Sequence, residues 1–289
     1  MVTILGTGLL GSGFVRALLR RGETVHVWNR TAEKAQALES EGARAFVDPA
    51  AAVKGAERVH VVLSDDASVD EVLERALPGL TKDVLIVDHT TTSASGTALR
   101  VARWNERGHR LVHAPVFMGP QNALESTGLM LVSGERTRVE AARPHLERMT
   151  GKVVDLGERT DAAAGFKLLG NLFLMFVTTG LAEVFTLARA MDVDPRTAAS
   201  LFDHFNPGLT LGARIDRMIG AEWSKASWEL AMARKDARLM VEEASRGDHP
   251  LAVLPAIAAR MDELIAQGHG KSDWTVLAKD ALDTAKRGG

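Results

Sequence analysis

Lys167 and Asn171 stand four residues apart near the start of a long apolar stretch. On a helix that spacing puts both side chains on one face. A lysine there could deliver a proton to, or remove one from, the oxygen of a carbonyl compound, and burial would make its neutral form accessible. The asparagine amide could hold that oxygen. Taken alone, the pair equally describes a lysine snorkelling from a buried helix beside an asparagine that caps a neighbour. A second string, Gly6-Thr7-Gly8-Leu9-Leu10-Gly11, carries a different chemistry. It follows a short apolar strand at 2–5, opens a helical run at 14–21 and is succeeded by a strand at 24–29, the context in which G-x-G-x-x-G binds a dinucleotide. The first glycine permits the tight turn, the second lets a pyrophosphate approach the backbone, and the third lets helix and strand pack closely.

The end of that second strand reads Asn29-Arg30-Thr31, where dinucleotides lacking a 2′-phosphate usually meet an Asp or Glu. A guanidinium matches a phosphate dianion and a carboxylate would repel it, so the expected cofactor is NADP, with NAD as the alternative.

The elements that must position these groups follow from pattern. Strand-like runs at 58–64, 83–89, 110–116, 129–134 and 152–157 alternate with helical ones such as 66–75 and 93–107, which implies a doubly wound, Rossmann-type α/β sheet. From Asp161 the β pattern stops and helices run to the C-terminus, broken near Asn206-Pro207-Gly208, Gly247-Asp248-His249-Pro250 and Gly268-His269-Gly270. The expected domains are a cofactor-binding unit at 1–160 and an all-α substrate and oligomerisation unit at 161–289, joined by a long helix at 162–191. That helix is apolar nearly all round between Leu168 and Leu187, but Asn171, Thr178, Thr179 and Glu183 interrupt it, so a core or subunit-interface helix is expected rather than a membrane span. Its position at the domain junction places Lys167 and Asn171 where a substrate would meet a nicotinamide.

Composition narrows the classes further. The 289 residues include no cysteine, which excludes disulfides, thiolate metal sites and cysteine nucleophiles, and a net charge of -2 offers no general basic field for nucleic acid. His89 and His113 lack a clustered carboxylate in the sequence, so no metal site is expected. The N-terminus starts directly with the first strand, and the expected location is the cytoplasm.

Four motifs together resemble the β-hydroxyacid dehydrogenases, the family of 3-hydroxyisobutyrate dehydrogenase, tartronate semialdehyde reductase and the glyoxylate/succinic semialdehyde reductases. They are the glycine string, His113-Ala114-Pro115-Val116-Phe117-Met118-Gly119, Lys167-Leu168-Leu169-Gly170-Asn171 and Lys235-Asp236; the tail Gly268-His269-Gly270-Lys271-Ser272-Asp273-Trp274 is also similar. The resemblance spans essentially the whole chain. It implies an oxidoreductase in which Lys167 is the general acid/base and Asn171 orients the substrate. It also implies cofactor contacts from Gly6, Gly8, Leu9, Leu10, Gly11, Asn29, Arg30, Thr31, Leu63, Ser64, Thr91 and Lys235. Phe117, Met118, Gly119 and Asp236 would then meet a small hydroxyacid or aldehyde, with backbone N–H groups of 117–119 binding its carboxylate. Family members are commonly homodimers or homotetramers built around the long helix.

The chain also departs from the family pattern. Where the family loop usually reads Asp-Ala-Pro-Val-Ser-Gly, this one has His113 for the aspartate, Phe117 for the serine and Met118 for the glycine, and Thr160-Asp161-Ala162-Ala163-Ala164 adds a residue before the lysine. Phe117 therefore either lines the substrate site or turns away to pack beneath the loop. Two rival functions share the outline: an imine reductase, a class that resembles this architecture but usually lacks the lysine, and a non-catalytic NADP-binding protein.

Overall fold

The computed structural model describes residues 1–82 and 84–283. Its first compact unit, Met1–Phe173, is built on a six-stranded parallel sheet of β1 (Val2–Leu5), β2 (Val25–Trp28), β3 (Arg44–Phe46), β4 (Arg58–Val61), β5 (Leu85–Asp88) and β6 (Arg110–His113), in the order β3-β2-β1-β4-β5-β6. Asp83, expected at the start of the fifth strand, lies outside the described residues. Side-chain alternation sorts the core onto two faces. Ile86 joins Leu5, Val59, Val61 and Trp104 on one side. Leu85 and Val87 join Phe14, Val112 and Leu146 on the other, beside a third cluster containing Ile4, Val25 and Val27. Both faces are thus covered, as an all-parallel sheet requires.

Two details differ from the sequence reading. The short strand β3 is added; its three residues carry too little apolar signal to register. The run at 110–116 is also not one strand. β6 stops at His113, Ala114 donates its N–H to Asp88 at 2.7 Å, and Pro115, which has no N–H, ends the pairing. The chain then enters a separate three-stranded sheet of β7 (Val116–Phe117), β8 (Leu129–Val132) and β9 (Lys152–Asp155), with β7 antiparallel and β9 parallel to β8. This change of sheet takes residues 114–119 out of the main ladder.

The long helix is Ala162–Ala190, 29 residues. Compactness divides the chain within it, at Phe173 rather than near residue 160, because its first turns pack on the first unit: Ala163 and Ala164 are fully buried and Ala163 donates its N–H to Ser133 Oγ at 2.9 Å. The helix is long and apolar enough to cross a membrane. Leu168, Leu169, Leu172, Phe173, Met175 and Phe176 are exposed in the isolated chain.

The second unit, Leu174–Gly289, holds no strand among its described residues. The Leu230–Arg246 and Leu254–Leu264 helices pack through Leu230, Ala233, Met261 and Leu264. Glu183 accepts from the backbone N–H groups of Ala252, Val253 and Leu254, capping the second of these helices. Asp273, fully buried, accepts from Arg217, Ser227 and Thr275. Burial opposes its ionisation, but the hydrogen bonds from Thr275 and Ser227 hold the carboxyl far below the usual carboxylate range. Asp273→Ala removes the ion pair with Arg217 and the acceptor for the Ser227 and Thr275 donors, and a loss of about 3–5 kcal/mol is expected in urea denaturation. A change below about 0.5 kcal/mol would show that the cluster is solvated.

Candidate active site

The site in the first unit gathers at the C-terminal ends of β1, β4 and β5. Gly6 turns the chain after β1 with φ +105°, and a Cβ there would lie 2.1 Å from the Val62 carbonyl oxygen, so only glycine fits. Gly11 is held as tightly, its missing Cβ 2.0 Å from the Gly6 carbonyl oxygen. Gly8 differs, since nothing lies within 4 Å of where its Cβ would be. It begins the Leu9–Arg20 helix with no side-chain cap and no acidic residue in the first turn. An open backbone at an uncapped helix N-terminus is the surface that a pyrophosphate requires.

Two clefts meet at this turn. One, about 280 Å³, is lined by Asn29, Arg30, Thr31, Lys34, Ser68 and Glu71, with Gly8, Leu63 and Ser64 at its border. The other, about 320 Å³, is lined by Gly8, Leu9, Leu10, Gly11, Leu63, Ser64, His89, Thr90, Thr91, Val116, Met118 and Lys167. Gly8, Leu63 and Ser64 border both, so a dinucleotide lying across the turn would have its adenosine half in the first cleft and its nicotinamide half in the second. Asn29 sets the junction by accepting from Thr7 N–H at 3.0 Å and donating to the Thr31 carbonyl at 2.9 Å. Thr90 does the same on the far wall, its hydroxyl accepting from Leu63 N–H at 3.0 Å and its own N–H donating to Asp88.

Lys167 is buried to 8% exposure, and its ammonium donates to Asn171 Oδ1 at 2.9 Å. Burial lowers its pKa from the ordinary lysine value. The same ammonium lies over the Phe117 ring, 4.0 Å from the centroid. Phe117 is therefore not a wall of the cleft: Met118 is, while the ring turns to the helix. Gly119 is also not free to bind a substrate carboxylate, because its N–H donates to Asn122 Oδ1 at 2.9 Å and caps the Pro120–Glu125 helix. Lys235 and Asp236 belong to the second unit, on the Leu230–Arg246 helix, where they pair with each other at 2.8 Å.

The sequence reading overlooked Lys34, Ser68 and Thr90. Lys34 had a signal, since it is a second basic residue four positions after Arg30, in the first turn of the helix that follows, and the fold puts both in one cleft. Ser68 and Thr90 are close in sequence to Ser64 and Thr91, which the sequence did single out, but only the strand order brings them beside Gly8.

His89 reaches the second cleft from a buried network. Its Nδ1 lies 2.7 Å from the Ala114 carbonyl, which can only accept, so Nδ1 carries the proton and Nε2 accepts from His60 Nδ1 at 2.9 Å. Burial pushes His89 down to about 4, and burial with the neighbouring His89 holds His60 well below its usual value. Between about 6.5, the value for an unfolded histidine, and about 4 for folded His89, the unfolded chain binds protons that the native pair refuses. Stability should accordingly fall as pH drops through that window. Urea midpoints from pH 7 to 4 are expected to fall less in His60→Leu than in wild type, and parallel curves would contradict this. His113 approaches Asp88 at 3.4 Å, and Arg100 approaches the same carboxylate at 3.7 Å, all three buried. His89 is thus held by Ala114 and His60, His113 lies against Asp88, and no group of three or more metal-ligand side chains occurs among the described residues.

Comparison with known proteins identifies the family. Residues 1–157 match the NAD binding domain of 6-phosphogluconate dehydrogenase. The chain is 26% identical to the uncharacterized oxidoreductase YfjR of Bacillus subtilis (strain 168), over 96% of this chain and 98% of that protein. It is 24% identical to 3-sulfolactaldehyde reductase of Escherichia coli (strain K12), over 98% and 96% respectively. The human cytokine-like nuclear factor N-PAC is 30% identical over 88% of this chain, which spans 46% of that longer protein. Among solved structures, the imine reductase from Myxococcus stipitatus in complex with NADP+ superposes with a TM-score of 0.90 at 20% identity, covering 96% of this chain and 99% of that one. Its V8 variant is in complex with NAD+, with a TM-score of 0.86 at 18% identity, over 96% and 98%. The chain is an NAD(P)-dependent oxidoreductase of the 6-phosphogluconate dehydrogenase-like family, to which the β-hydroxyacid dehydrogenases resembled by its motifs belong.

Proposed function

We propose that the chain is an NADP-preferring reductase that interconverts a hydroxyacid or related alcohol with its aldehyde or ketone, with Lys167 as the proton donor and acceptor. The observation that carries this reading is the placement of a buried lysine, bonded to Asn171, in the cleft that also holds the glycine turn. The preference for NADP rests on Arg30, Lys34 and Thr31 lining the adenosine cleft, with Asn29 where an acidic residue would serve NAD.

A bound nicotinamide supplies the hydride for reduction or accepts it for oxidation. The protein's part is positional and electrostatic. As a carbonyl oxygen gains electron density, the Lys167 ammonium donates a proton to it; in the reverse direction the neutral amine removes the hydroxyl proton. Asn171 fixes the direction in which the ammonium points. Thr90 and Thr91 line the opposite wall.

A second reading, reduction of an imine, is favoured by the loop: Phe117 and Met118 bring no hydroxyl, and the Gly119 N–H is already engaged by Asn122, so a substrate carboxylate finds fewer donors than in relatives with serine and glycine there. Absorbance loss with NADPH and with NADH across a panel of short hydroxyacid-derived aldehydes, uncharged aldehydes and cyclic imines tests both. Turnover of imines alone would replace the first reading with the second, and tight NADPH binding with no turnover on any member would favour a non-catalytic binding protein. The exposed apolar residues of the long helix support a homodimer or homotetramer, which light scattering would test.

A further inference from the structure

The ring of Phe117 and the backbone of the long helix are in direct contact. A Cβ on Gly170 would lie 2.3 Å from Phe117 Cζ and 2.7 Å from Cε1, so the ring reaches its place only because residue 170 is glycine. The result is an ammonium with three donors and two fixed neighbours. One donor is bonded to Asn171 Oδ1 at 2.9 Å. A second side is covered by the ring at 4.0 Å. The Lys167 side chain is also part of the lining of the cleft at the glycine turn.

We infer that Phe117 is a positioning residue, holding Lys167 as an ammonium aimed into the cleft through the face of its ring. This rests on the reading of Lys167 as the proton donor. A buried ammonium loses hydration, and an aromatic face restores part of that stabilisation without a lone pair that would compete for the proton. The serine usual in the family at this place would instead offer a hydroxyl to the ammonium or to a substrate's acid group.

Other charges around Lys167 are already engaged. His89, from the end of β5, is neutral and donates to the Ala114 carbonyl. Asp88 and His113, from the ends of β5 and β6, face each other. β7 carries no ionisable residue, and the first turn of the Leu9–Arg20 helix carries no acid. Glu125 of the Pro120–Glu125 helix is bonded to Gln121, and Asp161, just before the long helix, is paired with Arg159.

The lysine's titration can be read without any substrate by acylating the whole protein with acetic anhydride across pH and quantifying modification of Lys167 by mass spectrometry. In Phe117→Leu, which keeps apolar bulk and removes the π face, the midpoint is expected to fall by about 0.5–1.5 pH units. Gly170→Ala, whose methyl displaces the ring, should shift it in the same direction. The alkaline limb of NADPH-dependent reduction should move with the midpoint in Phe117→Leu, with KM little changed. An unchanged midpoint in Phe117→Leu, alongside an inactive Lys167→Met, overturns the inference alone, leaving the ring as packing. Wild-type turnover in Lys167→Met overturns the proton-donor reading, and the inference with it.

Discussion

Replacing Lys167 with methionine is expected to lower turnover by roughly 10²–10⁴ while NADPH affinity stays nearly unchanged, the range that a positioned general acid contributes. Methionine fills a similar volume in the buried space and removes only the donor, so folding should survive. The loss should appear in kcat and in kcat/KM together, because the proton moves only as the carbonyl is reduced. Burial lowers the lysine's pKa, so the oxidative direction, which needs the neutral amine, should gain rate as pH rises through that lowered value. Reduction should lose rate over the same interval. Steady-state rates in both directions, with NADPH fluorescence titrations as the control for binding, check this. A folded Lys167→Met enzyme with full activity would remove the lysine from the chemistry.

The second large effect concerns the other cleft. Arg30→Ala is expected to weaken NADPH binding by about 10- to 100-fold, the cost of losing a hydrogen bond between charged groups, with little change for NADH. Lys34 lines the same cleft as a point charge rather than a planar fork, so Lys34→Ala should cost less, and raised salt should weaken NADPH binding to both single variants. Titration of the two cofactors against wild type and the two variants decides the matter. Equal losses for NADH and NADPH on replacing Arg30 would mean that it does not read the 2′-phosphate.

Several features were legible in the chain because their causes are local. The glycine string states its own turn: Gly6 must take a positive φ, and Gly8 and Gly11 leave their Cβ positions to open space and to a carbonyl oxygen respectively. Periodicity sufficed for the parallel strands other than the three-residue β3 and for the helices at Asp66–Ala76 and Ala94–Glu106. The spacing of Lys167 and Asn171 is one helical turn, so their contact follows wherever that helix lies.

Four features were decided only by tertiary structure. The run at 110–116 reads as one strand, yet it divides at Pro115 between two sheets, since pairing partners distant in sequence claim Val116 and Phe117. Phe117 has the same residue type whether it lines a cleft or backs a lysine; the absence of a side chain at Gly170, 53 positions away, made the second possible. Gly119 offered a backbone donor on paper, but the side chain of Asn122 reached it first. Strand order likewise brought Ser68 and Thr90 to the glycine turn. Backbone preference acts over a few residues and can be read along the chain. Which side chain occupies a given volume depends on what the fold has already placed there, and that is set by contacts between distant segments.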